Sequence, residues 1–204
     1  PNVIVNELEI IYGDDMNRLF AATFGRGLWQ TPLPPKADFT AEETEICVGR
    51  EIVFTDNSYY DVESHIWNFG DGAVPQTAEG QGPHRVKYEV SGKKNISLTV
   101  TKNGKSNKEL KREYIHVVPE NNLFVFPNPN NGQFTIKYTS KSREKVILRI
   151  YNLTGAKVFS TETEKNSDIL QLSVDAQHLN YGMYIIAVES DGKGAKQIVL
   201  IRKF

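Results

Sequence analysis

Apolar and polar residues alternate with a period of two along most of this chain, in short bursts separated by turn-forming residues. In the middle of the chain the pattern predicts strands at Glu51–Thr55, Ser64–Phe69, Val86–Val90, Lys94–Lys102 and Lys111–Val117. Toward the C-terminus it predicts Phe134–Tyr138, Lys145–Tyr151, Lys157–Thr161, Ile169–Val174, Met183–Glu189 and Lys196–Arg202. These segments are rich in β-branched and aromatic residues, and no stretch holds a 3.6-residue period over a useful length. Short strands at this spacing build antiparallel β-sandwiches of about 80 to 100 residues. The expected fold is therefore all-β, with two sandwiches in tandem.

Proline marks the joints. Residues 1–35 end in Thr31-Pro32-Leu33-Pro34-Pro35, an extended spacer that neither a helix nor a central strand accommodates. Residues 36–118 form the second piece, and Pro119-Glu120-Asn121-Asn122 reads as a polar linker. Residues 123–204 form the last piece, with no proline after Pro129. The 204 residues carry a formal charge of −1, which excludes a polybasic nucleic-acid binder and an acidic tail. The C-terminal piece has a small basic surplus (11 basic and 8 acidic residues from position 119 onward), as expected of a solvated surface. No apolar run approaches the roughly 20 residues that span a bilayer. A single cysteine excludes an internal disulfide and any multi-cysteine metal site.

The strongest local signal is Trp67-Asn68-Phe69-Gly70-Asp71-Gly72. Trp67 and Phe69 share one face of a strand, Asn68 takes the other, and the glycines supply a turn in which positive φ costs little. Around it, in order, stand Ala37-Asp38-Phe39, the run Val48–Ser58, His84–Tyr88, Gly92, Ile96–Val100 and Tyr114-Ile115-His116-Val117. Residues 36–118 resemble a PKD domain, with Asn68 where an aspartate is commoner. The resemblance implies an immunoglobulin-like spacer or adhesion module without catalytic activity; some relatives hold calcium or contact polysaccharide or collagen. Asp38, Asp56 and Asp71 offer oxygen ligands. They are scattered through turns, where aspartate bonds its own backbone, so no metal or cofactor is expected. Cys47, in the alternating run Glu45-Ile46-Cys47-Val48, is expected to be a buried, unreactive thiol.

The last piece contains three further elements. Phe126-Pro127-Asn128-Pro129-Asn130-Asn131-Gly132 is a rigid turn released into a strand. Val146–Val158 is two strands joined at Asn152-Leu153-Thr154-Gly155. Leu179-Asn180-Tyr181-Gly182-Met183-Tyr184 opens a strand, followed by a polar hairpin and a basic end at Lys196–Lys203. In this order they resemble the type A C-terminal sorting domain of the type IX (Por) secretion system of Bacteroidota. The resemblance implies a folded address label, recognised in the periplasm and taken through the outer-membrane translocon to a β-barrel shuttle protein (PorV-like). A surface sortase then removes it and joins the cargo to anionic lipopolysaccharide. The candidate sorting residues are Pro127, Asn128, Pro129, Gly132, Asn152, Gly155, Gly182, Tyr184, Lys196, Arg202 and Lys203. Lys196–Arg202 is the candidate edge strand for pairing with a partner, and Pro127–Gly132 the candidate contact loop. The glycines are expected to be architectural.

Residues 8–31 read as strand, polar turn, strand, glycine-flanked turn and strand, ending in Ala22-Thr23-Phe24-Gly25-Arg26-Gly27-Leu28-Trp29. They resemble a blade of the sialidase/BNR-like β-propellers, which is not stable alone. That resemblance, with a start at Pro1 and no signal peptide, leads us to expect the C-terminal part of a larger secreted or cell-surface protein. Asp14 and Asp15 are read as a solvated turn pair rather than a catalytic couple. No nucleophile elbow, zinc helix or phosphate loop occurs, and His65, His84, His116 and His178 share no ligand spacing, so surface or turn positions are expected. No catalysis is expected of these residues. Two parents are compatible with them: a non-catalytic surface protein, or a secreted glycosidase or peptidase with its active site upstream.

Overall fold

The structure is a computed structural model that describes residues 4–12, 17–60 and 62–202; Asp14, Asp15, Lys203 and Phe204 lie outside the described residues. All regular elements among the described residues are β-strands. Strands β1 (Val5–Ile11), β2 (Arg18–Thr23) and β3 (Gly27–Pro32) form an antiparallel meander. Register places Leu8, Ala21 and Trp29 side by side on one face, and Glu9, Phe20 and Gln30 on the other. Leu33 N donates to Asn17 O (2.9 Å), so by alternation the nitrogen of Pro32 points away from β2, where it costs no ladder bond.

The second region contains β4 (Phe39–Ala41), β5 (Glu45–Cys47), β6 (Glu51–Asp56), β7 (Ser64–Asn68), β8 (Ala73–Val74), β9 (Thr77–Glu79), β10 (His84–Tyr88), β11 (Gly92–Lys102) and β12 (Lys105–Val118). They make a four-stranded sheet, β4-β6-β10-β8, and a five-stranded sheet, β5-β12-β11-β7-β9. The third region contains β13 (Leu123–Phe126), β14 (Gln133–Thr139), β15 (Val146–Asn152), β16 (Lys157–Thr163), β17 (Ile169–Asp175), β18 (Gly182–Ser190) and β19 (Lys193–Ile201). Their sheets are β13-β14-β17 and β16-β15-β18-β19. The structure adds β4, β5, β8, β9 and β13 to the strands expected from alternation. Four of these are two or three residues long, too short for a period of two to register. The fifth, β13, is four residues long and meets the expected opening turn only at Phe126.

The chain forms two compact units. One comprises Pro1–Glu42, Glu51–Lys87 and Lys94–Tyr114; the other comprises Glu43–Arg50, Tyr88–Lys93 and Ile115–Phe204. In the first, Phe39, Ile52, Phe54, Trp67, Phe69, Val86, Leu98 and Val100 are buried. Trp67 stacks on Phe69 (centroids 5.6 Å apart), meets the edge of Phe39 (5.5 Å), and donates its indole N–H to Gly80 O (3.0 Å). Asn68 faces outward and accepts the Gly70 N–H with its side chain (2.9 Å), shaping the turn at Gly70 (φ 81°).

Histidine 65 departs from the surface position expected of it. It shares the inward face of β7 with Trp67, is buried, and sets its Nε2 3.1 Å from Asp56 Oδ2, which satisfies a ring that burial removes from water. His84 is half-buried against Trp67 (5.4 Å) and Phe69. His116 and His178 are exposed.

The second unit has a core of Leu123, Phe134, Ile136, Tyr138, Val146, Leu148, Ile150, Val174, Tyr184, Ile186, Val188, Val199 and Ile201. Beside it lie two buried charges. Asp168 Oδ2 accepts the Cys47 N–H (2.8 Å), and its Oδ1 faces Arg143 (3.4 Å) and Arg50 (3.6 Å). Lys165 Nζ donates to Ser140 O and Ser142 O, 2.6 Å each, and burial lowers its pKa. Pro119–Asn122 is tied to the end of β14: Asn121 N donates to Thr139 O (2.7 Å) and Thr139 Oγ1 to Pro119 O (2.6 Å). Cys47 is fully buried, and burial, followed by the Asp168 charge, pushes its thiol up to about 12.

Truncation of Trp67 to alanine should cost about 3–5 kcal/mol of stability, because it empties the centre of a packed aromatic cluster and removes one of the two groups bonded to Gly80 O, the other being His84 Nε2 (3.0 Å). A chemical denaturation curve of the purified chain measures it. The Cys47 thiol should stay unlabelled by Ellman's reagent at pH 8 in the folded chain and react once denaturant is added.

Candidate partner-binding site

Polypeptide between β13 and β14 runs along the outer edge of β19. Within this loop the Phe126–Pro127 and Asn128–Pro129 peptides are cis. Asn128 uses its side-chain amide as a strand uses its backbone: Nδ2 donates to Ile198 O (3.0 Å) and Oδ1 accepts the Leu200 N–H (3.0 Å). Asn130 continues with its main chain, donating to Leu200 O (3.0 Å) and accepting from Arg202 N (2.8 Å). Its own side chain is buried and folds back, donating to Pro127 O (3.2 Å) and accepting from Gly132 N (2.8 Å). Gly132 has φ +97°, and a Cβ there would lie 2.7 Å from Gln177 Cα, so two separate constraints require glycine.

The expected edge strand and the expected contact loop are thus brought together. Loop residues occupy the outward backbone groups of β19 from Ile198 O to Arg202 N. By alternation Gly194 and Lys196 also direct their N–H and C=O groups outward, and these meet no partner among the described residues.

Asn152 organises the turn between β15 and β16. Its Oδ1 accepts from Thr154 N (3.1 Å), Thr154 Oγ1 (2.7 Å) and Ala156 N (2.9 Å), and its carbonyl accepts from Gly155 N (3.0 Å). Gly155 adopts φ +83° in open space. Gly182 begins β18 opposite Ile201, and Tyr184 is buried in the core with its hydroxyl donating to Asn180 O (2.7 Å). Lys196 is exposed on β19 and Arg202 follows it; Lys203 lies outside the described residues. Asn128 and Arg202 therefore lie along one edge, with Pro127 and Pro129 in the same loop; Gly132 ends that loop against Ala176 and Gln177, and Asn152 and Gly155 belong to a separate turn.

Sequence reasoning missed Asn130, Arg143, Lys165 and Asp168. Asn130 sat inside the quoted motif but carried no signal beyond its turn preference. The three charged residues look solvated until their partners are known. Among the described residues no group of three or more His, Cys, Asp or Glu lies together as a metal site would require. Asp38 is drawn to Lys111 (2.9 Å), whose bond holds its carboxyl below the usual range; Asp56 is engaged by His65; Asp71 is exposed.

Fold and edge together define an all-β sandwich chain, and comparison with known families gives its parts. Residues 33–117 match the PKD domain family, and residues 124–202 match the family described as the secretion system C-terminal sorting domain. The chain carries both domains, and the sorting domain marks it for export by the type IX secretion system to the cell surface or extracellular space. Among solved structures it is similar to carbohydrate-binding modules of the β-sandwich superfamily (16% identity, TM-score 0.37, 84% of this chain and 94% of that one). It is also similar to the human OSCAR ligand-binding domain (11%, 0.38, 82% and 99%) and to murine CEACAM1b (12%, 0.33, 81% and 99%). No curated protein matches the chain.

Replacing Asn128 with alanine removes one donor and one acceptor from the β19 edge and should cost about 1–2 kcal/mol. Gly132→Ala should cost more, since its Cβ meets backbone. Thermal unfolding of each purified variant measures the order.

Proposed function

We propose that this chain is the C-terminal region of a secreted cargo protein whose sorting domain, once folded in the periplasm, directs passage through the outer-membrane translocon. The domain is then handed to a β-barrel shuttle protein and a surface sortase, which joins the cargo to anionic lipopolysaccharide. The observation that carries this reading is the match of residues 124–202 to the sorting-domain family. A core of its own supports it, because an address label on diverse cargo must fold independently of what it labels. The PKD domain serves as spacer or adhesion module, and any catalytic activity of the cargo resides upstream.

The β1-β2-β3 meander favours a further part of the proposal. Leu8 (63%) and Trp29 (61%) are exposed on one face and Leu28 (69%) on the other, so neither face is covered. A three-stranded sheet of this kind gains stability from stacked neighbours, as a propeller blade does. We assign it to the end of such a propeller.

Deletion of residues 123–204 from the cargo precursor should leave the remainder in the periplasm, as read by immunoblotting of periplasmic, outer-membrane and medium fractions. Normal export of the truncated protein would sink the sorting assignment.

A further inference from the structure

The outer face of the β16-β15-β18-β19 sheet departs from the usual rule that an outward face is polar. The inward set is Leu148 and Ile150 on β15, Tyr184, Ile186 and Val188 on β18, and Val199 and Ile201 on β19. Alternation therefore turns Tyr151, Met183, Ile185, Ile198 and Leu200 outward. Register gathers them: Tyr151 pairs with Ile185, Ile185 with Ile198, and Met183 with Leu200. Met183 is 50% and Ile198 58% exposed, and Leu153 and Tyr181, just beyond the same end of the sheet, are exposed too. Single exposed apolar residues are ordinary, but a contiguous patch on a soluble domain marks an interaction site.

Charge around the patch is one-sided. Lys157 stands opposite Tyr151, and Lys196 opposite Ala187. The carboxylates on the same face are already engaged, Glu189 by Arg149 (2.7 Å) and Glu162 by Lys145. No acidic partner is present for Lys157 or Lys196 among the described residues. Beside Lys196 lies the uncapped half of the β19 edge, where Gly194 and Lys196 hold free backbone groups, whereas the Asn128–Asn130 clamp closes the other half.

We propose that this face, with the open Gly194–Lys196 edge, is the docking surface of the sorting domain for its receptor in the export machinery. The receptor surface is apolar, rimmed by carboxylates that meet Lys157 and Lys196, and supplies an extended segment that pairs with the open edge. A second copy of this chain fits poorly, because its own Lys157 and Lys196 would face the same cations. The proposal rests on the sorting reading above and locates the contact.

The test uses the full cargo precursor in its secreting host, in three forms. Met183→Glu with Ile198→Glu places charge in the patch; Lys157→Glu with Lys196→Glu reverses the rim without touching packing; deletion of residues 123–204 is the reference. The expected result is export reduced at least about tenfold in both double variants, as for loss of a central interface contact, with the lysine variant's thermal unfolding unchanged. If the patch variant fails to fold, the lysine variant decides alone. Export of the folded variants at the normal rate, with the deletion form retained, overturns the docking surface and spares the sorting assignment; export of the deletion form overturns both. A photo-crosslinking residue at Met183 should join an outer-membrane component of the export machinery, while one at Gln171 on the other sheet should not. A crosslink to a second copy of the chain would overturn the proposal.

Discussion

A β-strand turns its side chains alternately to two faces, and a two-layer sandwich buries only one of them. Most of this structure follows from that constraint. Trp67 and Phe69 go inward and Asn68 outward because they are neighbours on one strand, and the outward amide then becomes available to shape the Gly70 turn. In the second unit the same rule sends Leu148, Ile150, Ile186 and Val188 into one core. Where the rule is broken, apolar residues remain on a face that nothing covers. This happens on the β1-β2-β3 meander, on both faces, and on the outer face of the sheet that contains β15, β18 and β19.

Edges impose the second constraint, because an outer strand presents a row of unpaired donors and acceptors to any other strand. The loop from Pro127 to Gly132 answers it for half of β19. An asparagine side chain carries one carbonyl and one amide group, so Asn128 can meet a C=O and an N–H on alternate residues of a strand as a peptide unit does. Asn130 is fixed by its own side chain, which bonds within the loop, leaving its backbone free to pair with Leu200 and Arg202. Gly132 lets the chain turn back against Gln177 at a distance no other residue tolerates. The clamp stops short of Lys196, and the edge there stays open.

Strands of five or more residues were legible in the sequence because alternation and turn residues are local signals. Short strands such as β8 and β9 were not, since two or three residues carry no period. Buried charge was the hardest feature to read. Asp168 and Lys165 look like surface residues in their own neighbourhood; the Asp168 partner Cys47 lies 121 positions away, and Arg50 is brought in by the same contact. His65 was misplaced for the same reason, its burial being decided by Trp67 on the same face and by the waiting carboxylate of Asp56. The candidate site was legible as a motif and not as a mechanism, because Asn128 meets Ile198 and Leu200 some 70 residues downstream.

That difference between motif and mechanism bears on how such a domain is recognised. The motif residues that stand out in the sequence are largely used up inside the fold. Both ends of the Asn128 amide are bonded, Asn152 Oδ1 accepts three hydrogen bonds, Asn130 is buried, and the Tyr184 hydroxyl is committed to Asn180. A partner reading the folded domain meets few free polar groups on these side chains. What remains to be read is what the fold leaves uncovered: outward apolar side chains at Met183 and Ile198, cations at Lys157 and Lys196, and a short length of open backbone beside them. The motif makes the surface, and different residues form it.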